Sequence, residues 1–266
     1  MRRSTFTLLC VLLFVVSLSA QSVDDIIAKS LAASGGLAKL RAIQSKRVTG
    51  DFEAGGMQAG FTEVQKRPTK LRRDISIQGM SMVQAYDGQT GWQIVPFSGK
   101  KDPEVMSADE LKNVQEEADF DGPVVDYKQK GNKVELIGKE KVEGTDTYHL
   151  KITLKNGDVR NLYLDAESYL PIKVVARITM RGSEIEVETA IGDYKQVEGI
   201  MVPFSIEQHP MGGQGPGVKI TFTKVEMNVP VDDALFKMPA VAPPAAAPDK
   251  SGTPPATSEP KKPPQN

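Results

Sequence analysis

The sequence predicts a mainly β domain of the α+β class: one curled antiparallel sheet, a half-barrel of about 11 strands, closed by a few short helices. Three observations predict it. Apolar and polar residues alternate with period two through most of the middle of the chain, as strands with one covered and one wet face require. Glycine-bearing turn pairs punctuate these runs. Helix signals are scarce. A few short helices cannot cover so long a sheet in flat layers, but they can plug the mouth of a curled one, and that shape leaves an apolar cavity suited to a ligand.

Residues 1–20 read as an export signal rather than as part of the fold. Arg2 and Arg3 begin it, Phe6 to Leu18 is an apolar run too short to span a bilayer, and Ser19-Ala20 offers small residues for cleavage before Gln21. Cys10 is the only cysteine and lies within this run, so the exported chain has no disulfide, thiol nucleophile or cysteine-held metal. The rest, residues 21–239, is long enough for one domain with an ordinary core. From 240 to 266, Pro, Ala, Ser and Lys dominate, a composition too poor in apolar surface to offset the entropy of ordering. This segment reads as a disordered tail.

Helix signals come first along the chain. Ser22 can cap a helix with Asp24 and Asp25 in its first turn and Val23, Ile26, Ile27 and Leu31 on one side; Gly35-Gly36 ends it. A shorter turn covers Leu37 to Ile43. Ser107-Ala108-Asp109-Glu110 is a capping box opening a helix through about Ala118, with Leu111, Val114 and Ala118 inward. Strands take the remainder. Tyr148, Leu150, Ile152 and Leu154 alternate with polar residues, as do Ile172, Val174, Ala176 and Ile178, then Ile185 and Val187, then Val218, Ile220 and Phe222. Asn156-Gly157 reads as a hairpin turn with both residues at positive φ. Gly131-Asn132, Arg181-Gly182 and Glu198-Gly199 mark further turns.

Reactive chemistry is sparse. Net charge is −1, which argues against nucleic acid as a partner. Of two histidines, His149 falls on the polar face of a strand and reads as solvated, and His209 precedes a Pro-Met-Gly-Gly loop. Glu184, Glu186 and Glu188, like Asp119 and Asp121, could hold a hard cation but read better as a wet strand face and a loop. No phosphate loop, nucleophile elbow or zinc-protease pattern is present. The chain therefore reads as a non-enzyme, with no catalytic residue, no metal and no cofactor.

What remains is apolar surface around two short patterns, Lys66-Arg67-Pro68 and Asp87-Gly88-Gln89-Thr90-Gly91-Trp92, the second followed by Pro96-Phe97. Phe52, Phe61, Leu71, Ile75, Ile77, Met80, Met82, Trp92 and Phe97 admit two readings, plain core or the wall of a cavity for irregular apolar guests. Arg67 is an ordinary surface arginine on spacing alone.

These patterns, with Leu164-Asp165-Ala166-Glu167 to Pro171-Ile172 and the closing stretch Asn228-Val229-Pro230 to Asp233-Ala234-Leu235-Phe236-Lys237-Met238-Pro239, resemble the bacterial outer-membrane lipoprotein carrier and sorting proteins, the LolA/LolB-like group. The resemblance runs over about residues 22 to 239. It implies a periplasmic half-barrel with a helical lid, holding acyl chains of lipoproteins or lipids in an apolar concavity. By motif position it makes Arg67 the latch of the lid, through hydrogen bonds to helix carbonyls. Phe52, Phe61, Leu71, Met80, Met82, Trp92 and Phe97 are then the acyl lining, with Leu71 standing where the family has an aromatic ring. Expected partners are acyl chains, with room for inner- and outer-membrane proteins, and the chain reads as a monomer. The loop Met211 to Gly217 and the Pro-rich tail depart from the minimal carrier pattern. They leave open a periplasmic sensor acting on a membrane partner, or an envelope scaffold without a ligand.

Overall fold

The computed structural model describes residues 21–99, 101–180, 182–213 and 216–240; the segment read as an export signal and almost all of the one read as a tail lie outside them. Three helices, α1 (Val23–Ala33), α2 (Leu37–Ala42) and α3 (Ala108–Glu117), accompany a single antiparallel sheet. Its strands are β1 (Ser45–Ala54), β2 (Met57–Lys66), β3 (Lys70–Ile77), β4 (Met80–Tyr86), β5 (Gly91–Ile94), β6 (Glu104–Val105), β7 (Lys133–Val142), β8 (Thr145–Thr153), β9 (Val159–Asp165), β10 (Pro171–Met180), β11 (Ser183–Val197), β12 (Ile200–Pro210) and β13 (Val218–Met227). The sheet order is β6-β5-β4-β3-β2-β1-β13-β12-β11-β10-β9-β8-β7.

The 13 strands exceed the expected number. The excess sits at one edge, where β5 has four residues and β6 two, lengths at which period-two alternation is not legible. Two-residue hairpins at Gly55-Gly56, Gln78-Gly79, Glu143-Gly144 and Glu198-Gly199 have positive φ at both positions, the turn whose twist matches the flanking strands. The Asn156-Gly157 turn differs from this expectation, because only Gly157 is left-handed. The Gly157 N–H donates to the Leu154 carbonyl at 2.9 Å, and Asn156 Oδ1 accepts from the Asp158 N–H at 3.0 Å. The loop is one of the longer turns that place a single residue at positive φ.

The helices begin where their caps predict. Ser22 and Asp25 form a reciprocal capping box on α1, and Ser107 and Glu110 do so on α3. The position of α3 shows how strongly the sheet curls. In sheet order β4 and β10 are seven steps apart, about 34 Å if flat at about 4.8 Å a step. Yet α3, about 10 Å across, packs on both strands, and Asn113 donates to the Thr179 carbonyl of β10 at 3.1 Å. The sheet therefore wraps around the helix, and the helix-bearing face is the inner one. Ile26 and Ile27 of α1 cover Val134, Tyr148, Leu150, Ile152, Leu162 and Leu164 of β7–β9. Leu111, Val114 and Ala118 cover Leu71 and Tyr86 of β3 and β4.

Candidate apolar site

Cross-strand partners share a face and neighbours along a strand do not, so the register assigns each candidate residue. Phe61 pairs with Ile75, Ile75 with Met82, and Phe52 with Ala59. Phe52, Phe61 and Met82 thus meet on the inner face with Val48, Ile75 and Ile77. Leu71 is on the same face but fully buried beneath α3, in a separate cluster. Met80 belongs to this face by alternation with Met82, at the β3–β4 hairpin, where it is exposed. Phe97 is exposed in a short 3-10 turn, Pro96–Ser98.

Trp92 stands apart from this set. It pairs with Ala85, which pairs with Arg72, and Arg72 faces opposite to Leu71. The Trp92 ring is completely buried on the outer face among Val83, Ala85, Ile94 and Met238, its Nε1–H donating to the Phe236 carbonyl at 2.7 Å. Arg72 stacks over it at 5.7 Å and donates to the Leu235 carbonyl at 3.1 Å. Lys66 and Lys70 hold Asp233 from the same side. The outer face of this half of the sheet is covered by the chain's own segment 229–238, which explains why the closing sequence pattern and the tryptophan belong together.

The inner-face cluster includes residues that sequence reasoning passed over: Ile220, Phe222 and Val225 of β13. Phe222 makes edge contacts with Phe61 at 6.0 Å and with Phe204 of β12 at 6.3 Å. Their alternation is legible in the sequence, but only the pairing of first strand with last, Phe52 with Ile220 and Gly50 with Phe222, brings them to Phe61. Gly50 makes that approach feasible, since a Cβ there would stand 2.8 Å from the Phe61 ring and 2.2 Å from the Thr221 oxygen. The lining is drawn together, with Phe61, Ile75 and Ile77 at most 8% exposed. Ile220 and Phe222 remain half-buried.

Polar contacts fasten the helices over this face. Arg67, at the end of β2, donates from Nε to the Ile43 carbonyl and from Nη2 to the Leu40 carbonyl of α2 at 2.8 Å, and its Nη1 pairs with Asp121. Its guanidinium lies 4.5 Å over the Phe120 ring. One side chain thus ties α2 to the segment that follows α3. Two adjacent glutamates do the same for α3. Glu116 takes Arg160 of β9, which is buried, and Glu117 takes Arg73 of β3 at 2.9 Å. Adjacent helical residues point about 100° apart, so the pair reaches both limbs of the sheet. Burial works against the charge of Arg73, but Glu63 and Glu117 outweigh it and hold the guanidinium more firmly protonated than usual. Lys46, beneath Phe120 on the inner face, is pushed below the ordinary lysine range by burial, partly offset by Glu63.

Three of the five carboxylate candidates are occupied by ion pairs. Asp121 pairs with Arg67, Asp119 with Lys130, and Glu188 with Lys173. His149 is not merely solvated: it lies between Glu140 at 2.6 Å and Asn161 at 2.9 Å, stacked 4.5 Å from Tyr163. A strand's outer face can still bury an imidazole where a bulged neighbour and a ring enclose it, and β7 is irregular between Leu136 and Gly138, beside His149. His209 is exposed at the end of β12. Among the described residues no group of three or more His, Cys, Asp or Glu is placed to hold a metal, and no helix is long and apolar enough to cross a membrane.

This architecture is that of the LolA-like half-barrels. A DUF1329 family protein from Desulfovibrio piger superposes with a TM-score of 0.57 at 13% identity, over 82% of this chain and 98% of that one. A putative outer membrane lipoprotein-sorting protein domain from Vibrio parahaemolyticus gives 0.53 at 13% identity, over 80% and 94%. The LolA superfamily protein NE2245 from Nitrosomonas europaea gives 0.55 at 13% identity, over 79% and 96%. No protein-family model matches the sequence, and no curated protein matches it at a significant level. At such identities the likeness is one of fold, and function has to be argued from the site.

Proposed function

We propose that this chain is a periplasmic carrier that holds acyl chains of lipoproteins or lipids against the inner face of the half-barrel, in the service of outer-membrane lipoprotein sorting. The observation that carries the reading is the apolar inner-face strip of Phe52, Phe61, Ile75, Met82, Ile220 and Phe222, beside the helices α2 and α3, which polar contacts fasten to the sheet. The fold it shares with a sorting-protein domain supports the reading, and the composition of residues 1–20 supports the compartment. Arg67 is the latch in this proposal.

The energetics suit reversible loading. Burying a methylene is worth about 0.8 kcal/mol, so a sixteen-carbon chain leaving water gains roughly 13 kcal/mol. A chain leaving a bilayer gains almost none of this, because it exchanges one hydrocarbon setting for another. Direction then rests on opening and closing the site. A few charge-assisted hydrogen bonds, worth about 1.5–3 kcal/mol each, are enough to bias such a balanced exchange and weak enough to release.

Native mass spectrometry of the protein taken from its own envelope tests the reading. Bound lipid or lipoprotein is expected. Clean protein that also refuses a fluorescent fatty acid would overturn it in favour of a scaffold, the reading that the close packing of Phe61, Ile75 and Ile77 favours.

A further inference from the structure

Four of the large apolar side chains most exposed among the described residues, Met57, Met80, Phe97 and Met211, are between 40% and 47% exposed, and the register puts all four at one end of the sheet. Met57 closes the β1–β2 hairpin opposite Ala54, and Ala54 also pairs with Val218, the first residue of β13. The loop that carries Met211 therefore adjoins that hairpin, and a Cβ at Gly55 would stand 3.6 Å from the Pro216 ring. Met80 closes the β3–β4 hairpin beside them. Ile94, the last residue of β5, pairs with Val83 of β4, so the turn holding Phe97 leaves the sheet at the same end.

The chemistry of these four tips is uniform, whereas the β8–β9 turn at the same end of the other limb carries Lys155 and Asp158. The four tips, residues 54–58, 77–81, 95–99 and 210–217, contain no charged residue. The turns at the opposite end hold Lys66, Arg67, Lys70, Asp87, Glu143 and Glu198. Lys101, just past the Phe97 turn, is an exposed cation of the kind that suits a lipid headgroup. The rim is also continuous with the apolar lining, since Met57, Ala59 and Phe61 alternate onto the inner face of β2 and Met80 and Met82 onto that of β4. Uncharged tips escape the desolvation penalty of entering hydrocarbon. Flexible methionines on separate hairpins match a fluid surface better than a rigid partner.

We infer that this end of the half-barrel docks on a phospholipid bilayer, with Met57, Met80, Phe97 and Met211 inserted among the lipids, so that the apolar lining opens against the membrane. The inference rests on the carrier reading for its purpose, and its test is separate. Vesicles of phosphatidylcholine, alone or with phosphatidylglycerol, are floated with the chain as recovered from producing cells and with a Met57→Ser, Met80→Ser, Phe97→Ser, Met211→Ser variant carrying the same N-terminus.

The parent chain is expected to float with both vesicles, at low and high salt. The variant is expected to lose at least about tenfold in partitioning, because withdrawing even one such side chain from hydrocarbon removes about that factor. Ile137→Ser, an exposed apolar residue on β7 away from the rim, is expected to change nothing. Phe97→Ser alone, outside the sheet, gives a partial loss free of any folding question. A parent chain that stays with the buffer, or a quadruple variant that floats as well as the parent, overturns the docking surface. So does a dimer of the parent chain that the four substitutions dissolve while vesicles are ignored. Fatty-acid binding in solution, measured on the same samples, reports separately on the carrier reading: docking without binding would sink the carrier and leave the surface.

Discussion

The indole N–H of Trp92 on β5 donates to the main-chain carbonyl of Phe236, 144 residues later in the chain, at 2.7 Å. Both side chains are fully buried. This contact closes segment 229–238 over the outer face and makes the chain's one tryptophan a reporter for it.

Phe236→Ala is expected to destabilise the fold by about 3–5 kcal/mol, the usual effect of emptying a buried aromatic site. Trp92 emission should shift to the red in the folded protein as the segment loosens. Urea unfolding followed by tryptophan fluorescence reads both quantities, and an unchanged native emission would show that the segment stays docked without its anchor.

The same segment gives an acid dependence. Hydrogen bonds from Lys66, then Lys70, lower the Asp233 carboxyl from 3.8 to about 2. A depressed acid contributes fully above its ordinary value and loses that contribution as pH falls through the depressed one. The Trp92 signal should therefore report loosening between about pH 4 and pH 2. Asp233→Asn should show the looser state already at neutral pH, with that part of the acid response removed.

Arg67→Leu leaves the carbonyls of Leu40 and Ile43 and the Asp121 carboxylate without this partner. Amide exchange in α2 and around Phe120 should accelerate, by the factor that about 2–4 kcal/mol of lost hydrogen bonding implies. Fatty-acid release should quicken with it. Loading and release indistinguishable from the parent chain would remove Arg67 from the role of latch.

The two clasps of α3 should differ. Arg160 is nearly buried, with 8% of its side chain exposed, whereas Arg73 is 27% exposed and its partner Glu117 is 50% exposed. Glu116→Leu, which strands the Arg160 charge, should cost about 3–5 kcal/mol, and Arg160→Met in the same chain should restore much of it. Glu117→Leu should cost about 1 kcal/mol or less. Chemical denaturation of the three variants checks this, and equal effects at both glutamates would contradict it.

Much of the fold was legible because its signals are local. The capping boxes at Ser22 and Ser107 lie within four residues of chain, and the period of two in β8 to β11 shows in any short window. The Glu198-Gly199 turn needs only its own backbone. The two-residue β6 was not legible, since one alternation carries no period. The faces of Trp92 and Leu71 were not either, because each sits in an apolar alternating run and nothing local says which side the helix will cover.

The candidate site divides the same way. Phe52, Phe61 and Met82 could be named from composition and alternation, and they do converge. Phe222 and Phe204 could not be added, because their place beside Phe61 depends on β13 returning to pair with β1. Nothing local marks Arg73 or Arg160, whose roles depend on Glu116 and Glu117 lying between the two limbs.

By itself the sequence determined that this is a β protein with a few short helices, apolar on one side of its strands and poor in reactive groups. Period, caps and turn residues act over a few bonds and are written directly in the chain. Only the tertiary structure decided which apolar face is inner, that Trp92 belongs to the outer seal, and that Arg73 and Arg160 hold α3 in place. Those outcomes depend on the sheet curling around α3 and on the last strand returning to the first. Both are long-range closures whose entropy is offset only when the whole sheet forms.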